Sequence, residues 1–227
     1  MKSGTFIRTL MLGSAVLMTG LPLIAASRMI DLDRPDGLDL RGVKAENVEY
    51  QGRKALRLAE SGQENSLGLA ILKGVTFRDG TIDLEVSGAP AKGAGEGARG
   101  FIGIAFRVGP DAKQFEYFYL RPTNGRADDQ VRRNHSVQYA SHPDYPWPRL
   151  RKEEPEKYES YVDLEPGVWT KMRIVVSGTK AKLYVHGTAQ PVLVVNDLKM
   201  GLGEGGIALW IGPGTEGHFT NLTVSGE

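Results

Sequence analysis

The chain has 227 residues, with 28 Lys and Arg against 27 Asp and Glu, 29 Gly, 12 Pro and no cysteine. A net charge of +1 lacks the basic excess of a nucleic-acid binder. The absence of cysteine excludes a disulfide scaffold, thiolate metal sites and a Cys nucleophile, and the length suits one domain with a full core.

In chain order, Lys2 and Arg8 precede an apolar stretch from Leu10 to Ala26, broken by Gly13, Gly20 and Pro22, that ends on Ala25, Ala26 and Ser27. This pattern predicts a signal peptide over 1–26, followed by a single β-sandwich domain over 27–227. A periplasmic or secreted bacterial protein is expected, with no membrane span after cleavage. Beyond residue 27, short β-rich runs alternate with Gly, Asp and Asn turns. Val48–Tyr50 and Ala55–Leu58 flank Gln51-Gly52-Arg53 as a hairpin. Leu69–Leu72 and Thr81–Val86 flank Phe77-Arg78-Asp79-Gly80, another hairpin signal. Phe101–Val108, Phe115–Arg121 and a polar strand near Val131–Tyr139 follow. Lys171–Val176, Lys182–His186, Val192–Val195, Ile207–Ile211 and Phe219–Val224 complete about ten strands, which predicts an all-β, two-sheet antiparallel jelly-roll sandwich. Helix is expected only in short turns.

Gly201–Gly206 matches G-x-G-x-x-G, but the following Ile207–Ile211 reads as strand, so a turn is expected rather than a dinucleotide site. The Gly/Ala stretch 89–100, carrying Lys92, Glu96 and Arg99, reads as a rim loop or lid. The connection over about 121–161 is a long polar insertion. Its first part crowds Arg, Asp, Asn, His, Gln and Tyr together, a mixture that suits vicinal hydroxyls and sugar rings. Arg149–Glu159 reads as a solvated charge run.

Strand alternation adds a second line. In Phe101–Val108, Ile102, Ile104, Phe106 and Val108 form an apolar face, leaving Phe101, Gly103, Ala105 and Arg107 on the open one. In Phe115–Arg121 either face can be inward, so Glu116, or Tyr117 and Tyr119, can join Arg107. The alternative is an Arg107–Glu116 cross-strand ion pair with no ligand. His135 is the expected acid or base, because imidazole titrates near neutral pH, with Asp128, Asp129 or Glu116 as partners. The same groups are the candidate shell for a divalent cation, and no spacing singles out zinc. The alternative for His135 is a hydrogen bond within its polar strand. Trp147, between Pro146 and Pro148, reads as a stacking platform, and Trp169 and Trp210 as core. His186 and His218 read as structural or exposed.

The order of these elements resembles the concanavalin A-like lectin/glucanase superfamily, in the branch with laminin-G-like domains and the bacterial 3-keto-disaccharide hydrolase domain. The strings that carry it are 75–85, Gly103–Arg107, Phe115–Phe118, 166–174, Ala181–Val185, 205–210 and 219–222, together spanning roughly Val48 to Val224. The resemblance implies a curved sheet whose concave face binds carbohydrate. In some relatives it implies cleavage of glycosides oxidised at C3, where the carbonyl acidifies the C2 proton. Such chemistry needs a base, a cation or metal for the enediolate, and an acid for the leaving group. Arg107 and Glu116 fall where the family strands carry a similar pair, whereas 124–130 and 133–135 have no counterpart. The retaining-glucanase E-x-D-x-x-E motif is absent.

The expected function is thus an exported carbohydrate-acting jelly roll, leaning to a glycoside hydrolase or lyase of the 3-keto-glycoside type. His135, Glu116, Asp128 and Asp129 would move protons, and Arg107, Arg126, Arg133, Gln138, Tyr139 and Trp147 would contact a saccharide. No cofactor is called for, and a divalent cation is left open. The alternative is a non-catalytic, lectin-like or cell-surface interaction module.

Overall fold

The computed structural model describes residues 1, 27–62 and 67–226, so the expected leader lies almost wholly outside the described residues. Fifteen strands run in chain order. The first seven are β1 (Ser27–Met29), β2 (Leu38–Arg41), β3 (Val43–Tyr50), β4 (Arg53–Glu60), β5 (Leu69–Leu72), β6 (Gly80–Pro90) and β7 (Ile102–Val108). The next four are β8 (Phe115–Leu120), β9 (Val137–His142), β10 (Glu159–Ser160) and β11 (Thr170–Ser177). The last four are β12 (Lys180–Val185), β13 (Leu193–Val195), β14 (Gly206–Ile211) and β15 (Thr215–Gly226). The helices are short: α1 (Gln130–Asn134) and α2 (Trp147–Glu153), with single 3-10 turns at Pro35–Gly37 and Pro122–Asn124.

Two antiparallel sheets stack. Sheet A runs β13-β12-β11-β6-β15-β4-β3, with β1 also beside β15, and sheet B runs β10-β9-β8-β7-β14-β5-β2. Period-2 alternation explains the core. Ile82, Leu84, Val86, Met172, Ile174 and Leu183 point inward from sheet A, meeting Ile104, Phe106, Phe118, Leu120, Ile207 and Leu209 from sheet B. Each such side chain stabilises the fold by roughly 1.5–3 kcal/mol on burial.

The β3–β4 hairpin forms as expected, with Gln51 and Gly52 both at positive φ, 51° and 72°, as a tight two-residue turn requires. Four expectations are corrected. Strands β5 and β6 exist, but they belong to different sheets, so the Asp79-Gly80 signal marks a crossover rather than a hairpin. Phe77 is buried in the core and bridges Gly205, which anchors that crossover between the layers. The polar strand expected over Val131–Tyr139 begins as α1, because the Asp129 side chain accepts from the Arg132 amide at 2.8 Å and caps a helical turn. Only from Val137 does strand follow. The connection over 121–161 is also less of an excursion than expected, since β9 and β10 extend sheet B beyond β8.

The fourth correction concerns β7. Gly206 pairs with Val108 but Ala208 pairs with Ala105, so Phe106 and Arg107 together face Ile207. This is a β-bulge, and Arg107 takes its positive φ of 53°. Past the bulge the alternation inverts. Val108 packs with Ala105 and Phe115 instead of with Ile104 and Phe106, and Arg107 turns away from the open face. A Cβ on Gly205 would lie 2.6 Å from the Arg107 carbonyl carbon, so the close approach beside the bulge requires glycine.

Candidate functional site

A cavity of about 390 Å³ opens where the outer face of sheet B ends, between the β6–β7 connection, α1 and α2. Arg99, Arg121, Arg132, Arg151, His135 and Trp147 line it, with Phe101, Asn124 and Asp129. Arg121 follows Tyr119 by two residues, so alternation carries both to the same face. Its guanidinium donates to Tyr119 Oη and Gln138 Oε1, both at 3.0 Å, to the His135 carbonyl at 3.0 Å and to Glu159 Oε1 at 3.2 Å. Asn124 Nδ2 donates to the same carbonyl at 3.1 Å, so two side chains hold the backbone where α1 ends. Arg132 projects from α1 and donates to Asn124 Oδ1 at 3.0 Å and Thr123 Oγ1 at 3.2 Å. Helix α2 buries Leu150 and turns Trp147 and Arg151 toward the cavity, with the Arg151 guanidinium 4.5 Å over the Trp147 ring.

Glu159 lies beneath, almost fully buried. It accepts from Arg151 Nε at 2.8 Å, from a second Arg151 nitrogen and from Arg121, and His135 Nε2 stands 3.5 Å away. Burial pushes this carboxyl up, but the hydrogen bond from Arg151 and the charges of Arg121 and Arg151 outweigh it and hold it below the usual range. Burial also lowers the His135 imidazole further than Glu159 raises it. His135 is therefore neutral at pH 7 and Glu159 ionised.

From this cavity a row of rings runs along the outer face of sheet B. Phe101 lies 6.2 Å from Tyr119, Tyr119 lies 4.9 Å from Trp210, and Trp210 lies 5.0 Å from Tyr117. Phe115 and His142 continue it at 5.2 and 4.8 Å. Gly103 makes the row possible, because a Cβ there would stand 2.7 Å from Tyr119 Cα. Burial pushes the Tyr119 hydroxyl up to about 12, which keeps it a neutral donor or acceptor. A second depression of about 300 Å³ is lined by Phe115, Tyr117, His142 and Trp210.

The other expected residues fall elsewhere. Glu116, Phe118 and Leu120 face inward, opposite Phe106, Ile104 and Ile102, so Glu116 is enclosed between the sheets. It accepts from Tyr139 Oη at 2.6 Å and the Met200 amide at 3.1 Å, and Arg107 approaches to 3.5 Å. Burial pushes its carboxyl up. Arg107 donates to the carbonyls of Gly178 and Gly201, both at 2.7 Å, and of Arg78 at 3.1 Å, and to Asp79 Oδ1 at 3.2 Å. It thus ties three connections together at one end of the sandwich. The bulge and burial explain why neither residue reaches the open face; the ion-pair alternative describes their geometry. Tyr139 completes that interior network, with its hydroxyl accepting from the Lys199 amide at 2.8 Å.

Gln138 is buried behind the cavity, holding Arg121 and donating to the carbonyls of Tyr139 and Tyr158 at 2.7 and 3.1 Å. Arg126 pairs outside the cavity with Asp163 at 2.8 Å and with Glu165. Arg133 stacks over Tyr161 at 5.2 Å. Asp128 is exposed and Asp129 is engaged as a helix cap. Of the expected set, the cavity therefore brings together His135, Asp129 and Trp147. The shell imagined for a cation around His135 is not assembled, and among the described residues no group of three His, Asp or Glu side chains converges on one point. Trp210 was expected in the core but stands on the outer face. The alternation Ile207, Leu209, Ile211 inward against Ala208, Trp210 outward carried that signal. Arg99, Arg151 and Glu159 were missed as cavity residues, because Arg99 comes from the distant β6–β7 connection while Arg151 on α2 and Glu159 on β10 stood in what read as a solvated charge run.

On the outer face of sheet A another cavity of about 400 Å³ contains Asp83, Glu85, Lys171 and Arg173. Its carboxylates are answered internally, Asp83 by Arg173 at 2.6 Å and Glu85 by Arg53 at 2.9 Å. Among the described residues no helix is long and apolar enough to cross a membrane.

No family model matches the chain, and no curated protein matches it. Solved structures do. Carbohydrate-binding module CBM66 from Bacillus subtilis aligns with a TM-score of 0.54 at 12% identity, covering 89% of this chain and 98% of that one. Domain 4 of AbnA, a GH43 extracellular arabinanase from Geobacillus stearothermophilus solved with arabinotriose, aligns at 0.47 and 16% identity, covering 81% and 76%. A β-glucanase from Bacillus licheniformis aligns at 0.47 and 13%, covering 84% and 93%. At these identities the likeness concerns the fold alone, and it agrees with the two-sheet antiparallel jelly-roll sandwich described above.

Proposed function

We propose that this chain is an exported saccharide-binding jelly roll whose ligand lies along the outer face of sheet B. The observation that carries this reading is the continuity of the Phe101–Tyr119–Trp210–Tyr117 ring row with the polar cavity around His135. Phe101, Trp210 and Tyr117 are half-buried and offer flat apolar area to the C–H face of a sugar, buried Tyr119 supports them from within the row, and fixed guanidinium and amide groups at one end suit its hydroxyls. The carbohydrate-binding CBM66 relative supports the reading by analogy of fold. Export rests on the pattern of residues 1–26.

A second reading, a lyase or hydrolase of the 3-keto-glycoside type, draws on His135. A neutral imidazole beside guanidinium groups is a competent base next to a stabiliser of developing negative charge. Binding ranks first because the other carboxylates are not placed to move a proton in the cavity: Glu116 is between the sheets, Asp128 is exposed outside the lining, Asp129 is engaged as a helix cap, and Glu159, not among the expected residues, is held ionised. Titration of the purified protein with neutral and acidic oligosaccharides and 3-keto-glycosides tests both. Binding without product, lost in Trp210→Ala, supports the first. Turnover lost in His135→Ala with affinity retained supports the second, and no binding to any sugar defeats both.

A further inference from the structure

The cavity holds more positive charge than the protein answers. Arg99, Arg121, Arg132 and Arg151 all line it. Glu159 serves Arg121 and Arg151 together. Arg99 donates only to the backbone carbonyls of Glu96 and Ala98, and Arg132 only to Asn124 and Thr123. Among the described residues neither has a carboxylate partner. Asp129, the one acidic residue lining the cavity, is engaged in capping α1. Outside the cavity Arg53, Arg57, Arg126, Arg149 and Arg173 each meet a carboxylate within 3.1 Å, whereas among the described residues Arg133 meets only Tyr161.

Crowding like charges in a half-enclosed space costs free energy, and Arg99 registers it. Its guanidinium is pulled below its ordinary value by burial and by the charges of Arg132 and Arg121. A bound anion relieves that repulsion, and a planar fork suits a carboxylate or sulfate, which it can meet with two parallel hydrogen bonds. The ring row begins at Phe101, in the same cavity, so an anionic group held there leaves the rest of a saccharide over aromatic surface.

Resting on the saccharide reading above, we propose that the ligand is an acidic saccharide, whose uronate carboxylate or sulfate ester is held between Arg99 and Arg132 in the cavity beside Trp147. The two arginines recognise the charged substituent, and the ring row accepts the sugar that bears it.

Calorimetric titration of the purified protein with oligogalacturonate, oligomannuronate and a sulfated galacto-oligosaccharide, each beside its neutral galactan or mannan counterpart, tests this. An acidic ligand is expected to bind at least about tenfold more tightly than its neutral counterpart. That preference is expected to shrink between about 50 and about 500 mM salt, because the contact is ionic and open to solvent. The uronate and sulfate arms tell which anion is taken. Arg99→Gln and Arg132→Gln are each expected to remove most of the preference, costing the acidic ligand far more affinity than its neutral counterpart, and Arg99→Lys to keep part of it. The salt series on the unaltered protein decides the matter if a variant fails to fold. Equal binding of acidic and neutral sugars, or an acidic preference untouched by both Gln variants, overturns the inference and leaves the saccharide reading standing. Failure of every sugar to bind overturns both.

Discussion

Two networks of Arg, Glu and Tyr lie in sheet B and its connections, and they have opposite characters. In the interior, Arg107, Glu116 and Tyr139 answer one another and the carbonyls of three connections. In the cavity, Arg121, Glu159 and Tyr119 form a similar set, but Arg99 and Arg132 beside it line the cavity and, among the described residues, meet only neutral acceptors. The residue types are the same, and the difference is closure. A guanidinium whose donors all meet protein acceptors is part of the framework, because removing it strands buried acceptors. A guanidinium with donors turned into a cavity is available to a ligand.

The largest effect that would break the comparison lies in the interior. Arg107→Ala leaves Glu116 buried without its cation and is expected to cost about 3–5 kcal/mol, lowering the melting temperature by roughly 10 °C. A variant that melts normally yet loses saccharide would move the site inside the sandwich. Next comes the ring row. Trp210→Ala is expected to weaken saccharide binding by about fivefold to tenfold, as loss of roughly 1 kcal/mol of aromatic contact implies, with the fold retained. Titration and a melt on the same sample separate the two.

A pH series sharpens the comparison further. Burial lowers His135, His142 and His218, so each binds a proton less readily folded than unfolded, where imidazole titrates near 6.5. Their contribution is complete above about pH 6.5 and is lost as pH falls through the lowered folded values. The melting temperature is expected to decline from pH 7.5 to 5.5, and His218→Gln to flatten the decline. His218 stacks on Tyr50 at 3.7 Å, far in the fold from the cavity, so saccharide affinity is expected to be unchanged in that variant. The smallest effect belongs to Arg126→Ala. Its exposed pairs with Asp163 and Glu165 are screened by solvent, and neither the melt nor the titration is expected to move.

Much of the architecture could be read before any coordinates. The strands of the C-terminal third, from Lys171 to Val224, fall within a residue or two of their expected limits apart from the longer β15, since clean alternation bounded by Gly turns reports a half-buried strand directly. The Gln51-Gly52 hairpin was equally plain. The site was less legible. His135, Asp129 and Trp147 could be named from residue type in an unusual connection. Their neighbours Arg99, Arg151 and Glu159 could not, because Arg99 comes from the remote β6–β7 connection and Arg151 and Glu159 stand in a charge run with the pattern of a solvated loop.

Alternation and turn chemistry are short-range properties, so residue order alone determined the all-β class, most strand positions and the placement of Ile102 and Ile104 in the core. Pairing partners and bulges are long-range. That β5 and β6 part into different sheets, and that one extra residue at Arg107 inverts the face of everything after it, depends on which strand packs alongside. Only the tertiary structure decided that Arg107 and Glu116 close on each other inside while Arg99 and Arg132 remain open. Whether a charge meets a partner is set by chain segments that the sequence separates and the fold brings together.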